Sequence, residues 1–264
     1  TEIYTLSLHD ALPIYGPHWL EPVPGESCIP LASSPDGSRP AFTVTALAHF
    51  YRDAAKALYP CPVHAACIED ATYQEVSTGV GQLLIPVQGL GQFICSGALI
   101  ANSIGGGNQP YFLSAHHCFD GDVDVPGVVV FWDYRATACD GSGVPDLWDP
   151  EQVPRSAGTA LLAHDACLDG ELIALDAAPV GAYGRAWAGW ETRAMQPGDA
   201  VALAQYPSGS AMKAALGTVQ AADVEGCLDF LCRERVYHQT EVQWDEGITV
   251  GGSSGAPLLH TTNG

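Results

Sequence analysis

From Cys61 onward the chain is written in short apolar runs, each stopped within a few residues by Gly, Pro, Asn or Asp. Such punctuation leaves little room for helices, which need an uninterrupted stretch of roughly ten residues with apolar positions three and four apart. Strands need only about five. The runs predict strands at Gln82–Pro86, Phe93–Ile100, Tyr111–Ala115, Val128–Tyr134, Glu171–Leu175, Ala200–Ala204, Glu241–Trp244 and Ala256–His260. The 29 Gly and 19 Pro supply the turns between them. Many strands at short spacing, with no internal repeat, predict an all-β barrel or sandwich.

Upstream the texture differs. Tyr15–Pro40 is rich in Pro, Gly and Ser without a period and reads as a linker or the tail of a propeptide. Apolar positions at Val44, Leu47, Tyr51, Ala54, Ala55 and Leu58 predict one amphipathic helix over Val44–Leu58, ended by Pro60. Thr1–Ile14 is similar to the translation of a sequencing-adapter oligonucleotide, and is set aside from fold reasoning as one would a fusion scar. The sequence stops at Gly264 just after a predicted strand, so the domain from residue 61 is expected to be C-terminally truncated.

Composition narrows the partners. Hydrophobic residues at 47% and charged residues at 15% exclude a disordered chain. Thirty acidic residues against ten Lys and Arg give a formal net charge of −20, which repels phosphate backbones and argues against nucleic acid. No apolar run reaches the ~18 residues of a bilayer span, so no membrane partner is expected. Nine Cys without C-x-x-C pairs fit disulfides and a secreted, extracellular protein better than a zinc site.

Three constellations could carry chemistry. Tyr111–Ala115 is an apolar run that ends in His116, His117 and Cys118. A His at a strand end is held by the sheet yet reaches solvent, and its ordinary pKa of ~6.5 lets it accept a proton near neutrality. Residue types alone leave a general base, a metal-ligand pair and a core His all open there. Asp169 precedes the run Glu171–Leu175, where a carboxylate could orient an imidazole or simply start a turn. Asp165 competes with it, and His164, Asp165, Cys167 and Asp169 could be drawn as a metal cluster of no familiar spacing. Gly251-Gly252-Ser253-Ser254-Gly255 sets serines in a glycine turn where backbone N–H groups can converge. Gly251-x-Ser253-x-Gly255 also fits the nucleophile elbow of α/β-hydrolases, but those place an acid and a His after the Ser, and no acidic residue follows Ser254. His117, then Asp169, then Ser254 is the chymotrypsin order.

Taken together, Cys61-x5-Cys67, Cys95-Ser96-Gly97, Ala115-His116-His117-Cys118, Phe131-Trp132-Asp133-Tyr134 with Cys139, Trp187-Ala188-Gly189-Trp190 and Gly252-Ser253-Ser254-Gly255-Ala256-Pro257 resemble the trypsin-like serine endopeptidases. Bacterial lysyl endopeptidases are the nearest type. The resemblance implies a chymotrypsin-like fold of two six-stranded antiparallel β-barrels, the second incomplete in this sequence. It implies Ser254 as nucleophile, His117 as general base, Asp169 as orienting acid and the Gly252 and Ser254 N–H groups as oxyanion donors. It also implies the disulfides Cys95–Cys118 and Cys67–Cys139, no cofactor and no metal, and a monomer that cleaves protein or peptide substrates after Lys or other basic residues.

Several positions depart from the pattern. Ser253 stands where chymotrypsin-type zymogens carry an Asp that pairs with a freed N-terminal amine, so that activation switch is missing. The family partner of Cys61, the strand that pairs with substrate and the acidic pocket residue are expected beyond Gly264. Cys227 and Cys232 could close a small loop of their own. Two other readings compete: an inert protease-like binding protein, against which the intact triad argues, and a zinc hydrolase on His116, His117 and the His164–Asp169 segment.

Overall fold

The computed structural model describes residues 63–88, 90–102, 109–227 and 235–260, together with three short strands upstream. Those three, β1 (Ile3–Leu6), β2 (Val23–Pro24) and β3 (Leu47–His49), form an antiparallel sheet in the order β2-β1-β3. The helix expected over Val44–Leu58 is therefore corrected at residues 47–49. Their backbone pairs with β1 (Leu6↔Leu47, Thr5↔Ala48, Tyr4↔His49), which engages groups a helix would bond internally. The rest of that span lies outside the described residues, and β1 itself falls within Thr1–Ile14.

The main body begins with β4 (Val63–His64), followed by a short helix α1 (Ala71–Ser77) that the sequence reading missed. Asp70 caps α1 by accepting from the Tyr73 N–H at 2.6 Å. Six strands then close a barrel: β5 (Val80–Val87), β6 (Gly91–Leu99), β7 (Tyr111–Ser114), β8 (Val129–Phe131), β9 (Arg155–Asp165) and β10 (Gly170–Leu175). Every pairing is antiparallel, in the order β10-β7-β6-β5-β8-β9, with β9 returning to β10.

The barrel is filled by one face of its strands and docked by the other. Leu83, Ile85 and Val87 of β5, with Val128, Val130 and Trp132 around β8, point inward to meet Leu99, Phe112 and Ile173. The alternate residues Val80, Leu84, Val129 and Phe131 point outward onto Ala202, Ala204, Tyr206, Met212 and Ala214. Side chains alternate along a strand, so a strand buried on both faces reads as an unbroken apolar run. All eight residues of β5 are buried accordingly.

The outer face of β5 and β8 rests on a second sheet. It contains β11 (Ala200–Gln205), β12 (Lys213–Cys227), β13 (Arg235–Glu246) and β14 (Leu258–His260), in the order β13-β12-β11-β14, with β4 also paired to β12. A closed six-stranded antiparallel barrel beside a second, incomplete sheet is the chymotrypsin-like arrangement. Among the predicted strands, Val128–Tyr134 is shortened to Val129–Phe131 and Ala256–His260 to Leu258–His260. Asp133 leaves the sheet at φ 60° to meet Arg185 at 3.2 Å, whose guanidinium lies 4.5 Å from the Trp132 ring centroid.

Candidate active site

Strand pairing brings two distant segments together. Glu171 of β10 lies opposite Ser114 of β7, so the turn that enters β10 sits beside the turn that leaves β7. The leaving turn, His116–Phe119, carries both histidines. It is tied back to β6 by the Cys95–Cys118 disulfide, while a second disulfide joins Cys67 to Cys139. The entering turn carries Asp169 at φ 54°, a left-handed conformation that Asp adopts more readily than most side chains.

Asp169 spends both carboxylate oxygens on His117. Oδ2 lies 2.8 Å from the ring Nδ1 and Oδ1 accepts the backbone N–H at 2.9 Å. The His116 N–H donates to the Asp169 carbonyl at 3.1 Å, which fixes the turn itself. Burial, the largest single influence, pushes the Asp169 carboxyl up. The two hydrogen bonds from His117 and the charges of His117 and His116 outweigh it, and the group ends below the usual carboxylate range. An ionised Asp169 keeps the proton on Nδ1, which turns the Nε2 lone pair outward as an acceptor.

His116 takes a different partner. Its Nδ1 lies 2.8 Å from Oε2 of the buried Glu171, and its ring stacks on His164 with centroids 5.4 Å apart. Asp165 caps its own turn, accepting from the N–H groups of Cys167 and Leu168 at 2.9 and 3.0 Å. Among the described residues no three His, Cys, Asp or Glu side chains converge on a point that could hold a metal ion. Cys167 is exposed and unbridged. Cys28 and Cys61, and the loop between Cys227 and Cys232, lie outside the described residues.

Ser254 comes from the second sheet, in the turn before β14. It shares with His117 a cleft of about 510 Å³, whose wall continues over Val87, Leu90, Phe93, Ile94, the Cys95–Cys118 bridge and Asp120. The turn depends on two glycines. Gly252 has φ +94°, and a Cβ there would stand 2.8 Å from the Tyr206 carbonyl oxygen. Gly255 has φ +80°, and a Cβ there would stand 2.2 Å from Ser114 Oγ and 2.3 Å from the Ser96 carbonyl oxygen. Ser253 closes the turn locally: its N–H donates to the Val250 carbonyl at 2.9 Å and its Oγ accepts the Val250 N–H at 3.1 Å. The N–H groups of Gly252 and Ser254, by contrast, have no acceptor among the described residues.

The sequence reading passed over Ser96 and Glu171. Ser96, fully buried in β6, bonds to Gly252, Ser254, Tyr206 and Ser114. Its place in Cys95-Ser96-Gly97 was visible, but the Gly252 that its hydroxyl meets lies 156 positions away. Glu171 could have been suspected as an inward-facing acid in an apolar strand, since a buried carboxylate needs a partner.

Comparison with known proteins places the family and the fold. A lysyl endopeptidase of Pseudomonas aeruginosa is 26% identical over 276 aligned positions, covering 98% of this chain and 56% of the relative, so the chain spans about half that protein's length. In fold, the chain is similar to the Rv3671c protease of M. tuberculosis in its active form. That match has a TM-score of 0.50 at 13% identity and covers 78% of this chain and 77% of that one. The family model described as lysyl endopeptidase, C-terminal domain, matches residues 57–264, and the chain belongs to that family.

Proposed function

We propose that this chain is a serine endopeptidase domain that works through an acyl-enzyme on Ser254. The observation that carries the reading is the double hydrogen bond from His117 to Asp169, on the wall of a cleft that also contains Ser254. In the proposed reaction the Ser254 hydroxyl oxygen bonds to the scissile carbonyl carbon and its proton passes to His117 Nε2. The carbonyl oxygen takes up negative charge and is met by the N–H groups of Gly252 and Ser254. The C–N bond then breaks, and His117 returns the proton to the departing amine. A water molecule repeats the sequence on the acyl-enzyme and frees Ser254. Asp169 holds the imidazole in one tautomer and stabilises the imidazolium.

The substrates proposed are peptides and proteins cut after Lys or another basic residue, a preference supported by the name of the curated relative and by family membership. The two disulfides support action in an oxidising, extracytoplasmic compartment. Leu90 and Phe93, both substantially exposed beside His117, support an apolar residue on the amine side of the cut bond, since His117 serves that half of the substrate.

The test is a fluorophosphonate probe together with fluorogenic peptides ending in Lys, Arg or Ala. The parent protein is expected to be labelled on Ser254 and to cleave the Lys peptide fastest. Ser254→Ala is expected to keep its circular dichroism spectrum and lose both labelling and turnover. Cleavage that persists in Ser254→Ala would refute the nucleophile, and equal rates on all three peptides would refute the basic preference.

A further inference from the structure

The serine turn lacks a carboxylate at position 253, so something else must hold its peptide planes in place. Ser253 cannot do so, because its side chain is spent on Val250 within the same turn. The anchoring comes from the first barrel. Ser96 Oγ donates to the Gly252 carbonyl at 2.8 Å and accepts the Tyr206 N–H at 2.9 Å, which uses the one proton of a hydroxyl and one of its lone pairs. The Ser96 N–H donates to the Ser254 carbonyl at 2.8 Å, and its carbonyl accepts from Ser114 Oγ at 2.8 Å. A further bond, from the Ser208 N–H to the Gly251 carbonyl at 2.6 Å, fixes the plane that carries the Gly252 N–H. Peptide units are planar, so holding a carbonyl fixes the direction of the N–H across the same bond. Gly252 is the weak point, because a glycine can turn its flanking peptides over at little steric cost.

We propose that Ser96 is the positioning residue of the oxyanion turn: a buried hydroxyl that bridges Tyr206 N–H to Gly252 C=O and so pins the Gly252–Ser253 peptide, the middle plane of the turn, between the two planes that carry the Gly252 and Ser254 N–H groups. The proposal rests on the serine endopeptidase reading above. It replaces a charged latch formed on activation with a neutral one built into the fold, so the turn keeps its donor-presenting shape whatever happens at the N-terminus. Ser96 acts through the turn and touches no substrate.

The test compares Ser96→Ala, which removes the hydroxyl and keeps the backbone bonds, with Ser96→Thr, which restores a hydroxyl. Melting temperature, kcat, KM, the rate of fluorophosphonate labelling and the pH profile are measured for each. Ser96→Ala is expected to lose about 10²-fold in kcat and in labelling rate, the scale of losing one oxyanion donor. Its KM and the acid limb of its pH profile should stay put, because His117 and Asp169 belong to the other turns. Ser96→Thr should recover most of the loss. A folded Ser96→Ala within threefold of the parent in kcat overturns the proposal, as does a loss that appears in KM alone. Should Ser96→Ala fail to fold, Ser96→Cys, a weaker donor of similar size, is held to the same criteria. A parent protein that the probe does not label at all would instead defeat the serine endopeptidase reading.

Discussion

Asp169 gives both of its oxygens to a single neighbour, and the consequences can be read with pH. Its folded pKa lies below that of a free carboxyl, about 3.9. A group shifted in this direction stabilises the fold at pH values above its unfolded pKa, and the contribution vanishes as pH falls through the folded pKa. Asp169→Asn should therefore be less stable than the parent at neutral pH, with the gap closing toward acid; urea unfolding across a pH series checks it, and a constant gap would contradict the assignment. The same variant should lose about 10⁴-fold in kcat, the size seen when an orienting carboxylate is replaced by an amide that favours the wrong tautomer. At this scale the sequence was a partial guide. His117 and Ser254 stood out because each follows a recognisable local pattern, a strand end and a glycine turn. Asp169 and Asp165 could not be separated by residue type, since the difference is which carboxylate β10 delivers to His117. Ser96 left no local signal, because its hydroxyl meets groups brought close only by folding.

Turns and strands set the next level. Gly255→Ala would place a methyl carbon against Ser114 and the Ser96 backbone at a positive φ, so it should abolish labelling of Ser254 and lower the melting temperature. The disulfides can be ranked by the loops they close. In the chain-entropy model the 72-residue separation of Cys67–Cys139 is worth ~4 kcal/mol and the 23-residue separation of Cys95–Cys118 ~3 kcal/mol. Paired Cys→Ser variants compared by denaturant unfolding should show the larger loss for the first pair. Strands with clean apolar alternation or full burial, such as β5 and β10, were legible. β9 and β12 were not. β9 is exposed over most of its length, including Leu161 and Leu162, and β12 is interrupted by the Ala pairs 214–215 and 221–222 and by Gly217 and Gly226, so neither carries a period-two pattern. Helix α1 escaped notice because its one large apolar anchor is Tyr73, whose hydroxyl donates to the Leu203 carbonyl.

Across the whole molecule, the outward faces of β5 and β8 and the inward face of the second sheet make one continuous apolar layer. Leu84→Ala at its centre should cost ~2–5 kcal/mol, the range for core Leu truncations, and should depress activity along with stability because His117 and Ser254 lie on opposite sides of that layer. The formal charge of −20 adds a field. If the substrates are basic peptides, attraction speeds their encounter, and kcat/KM for a Lys peptide should fall as salt rises while that for a neutral peptide holds steady. The fold class was legible because punctuation and composition act on the entire chain. The division of labour between the two halves was not, since it depends on which face of each strand looks outward.

That division gives the cleft a mechanical meaning. An inhibitor bonded to Ser254 and hydrogen-bonded to His117 is a rivet through the joint, tying sheet to barrel where the native chain relies on Ser96 and an apolar layer. Adduct formation should thus resist prying the halves apart, and the sealed protein should withstand heat and proteolytic nicking better than the vacant one.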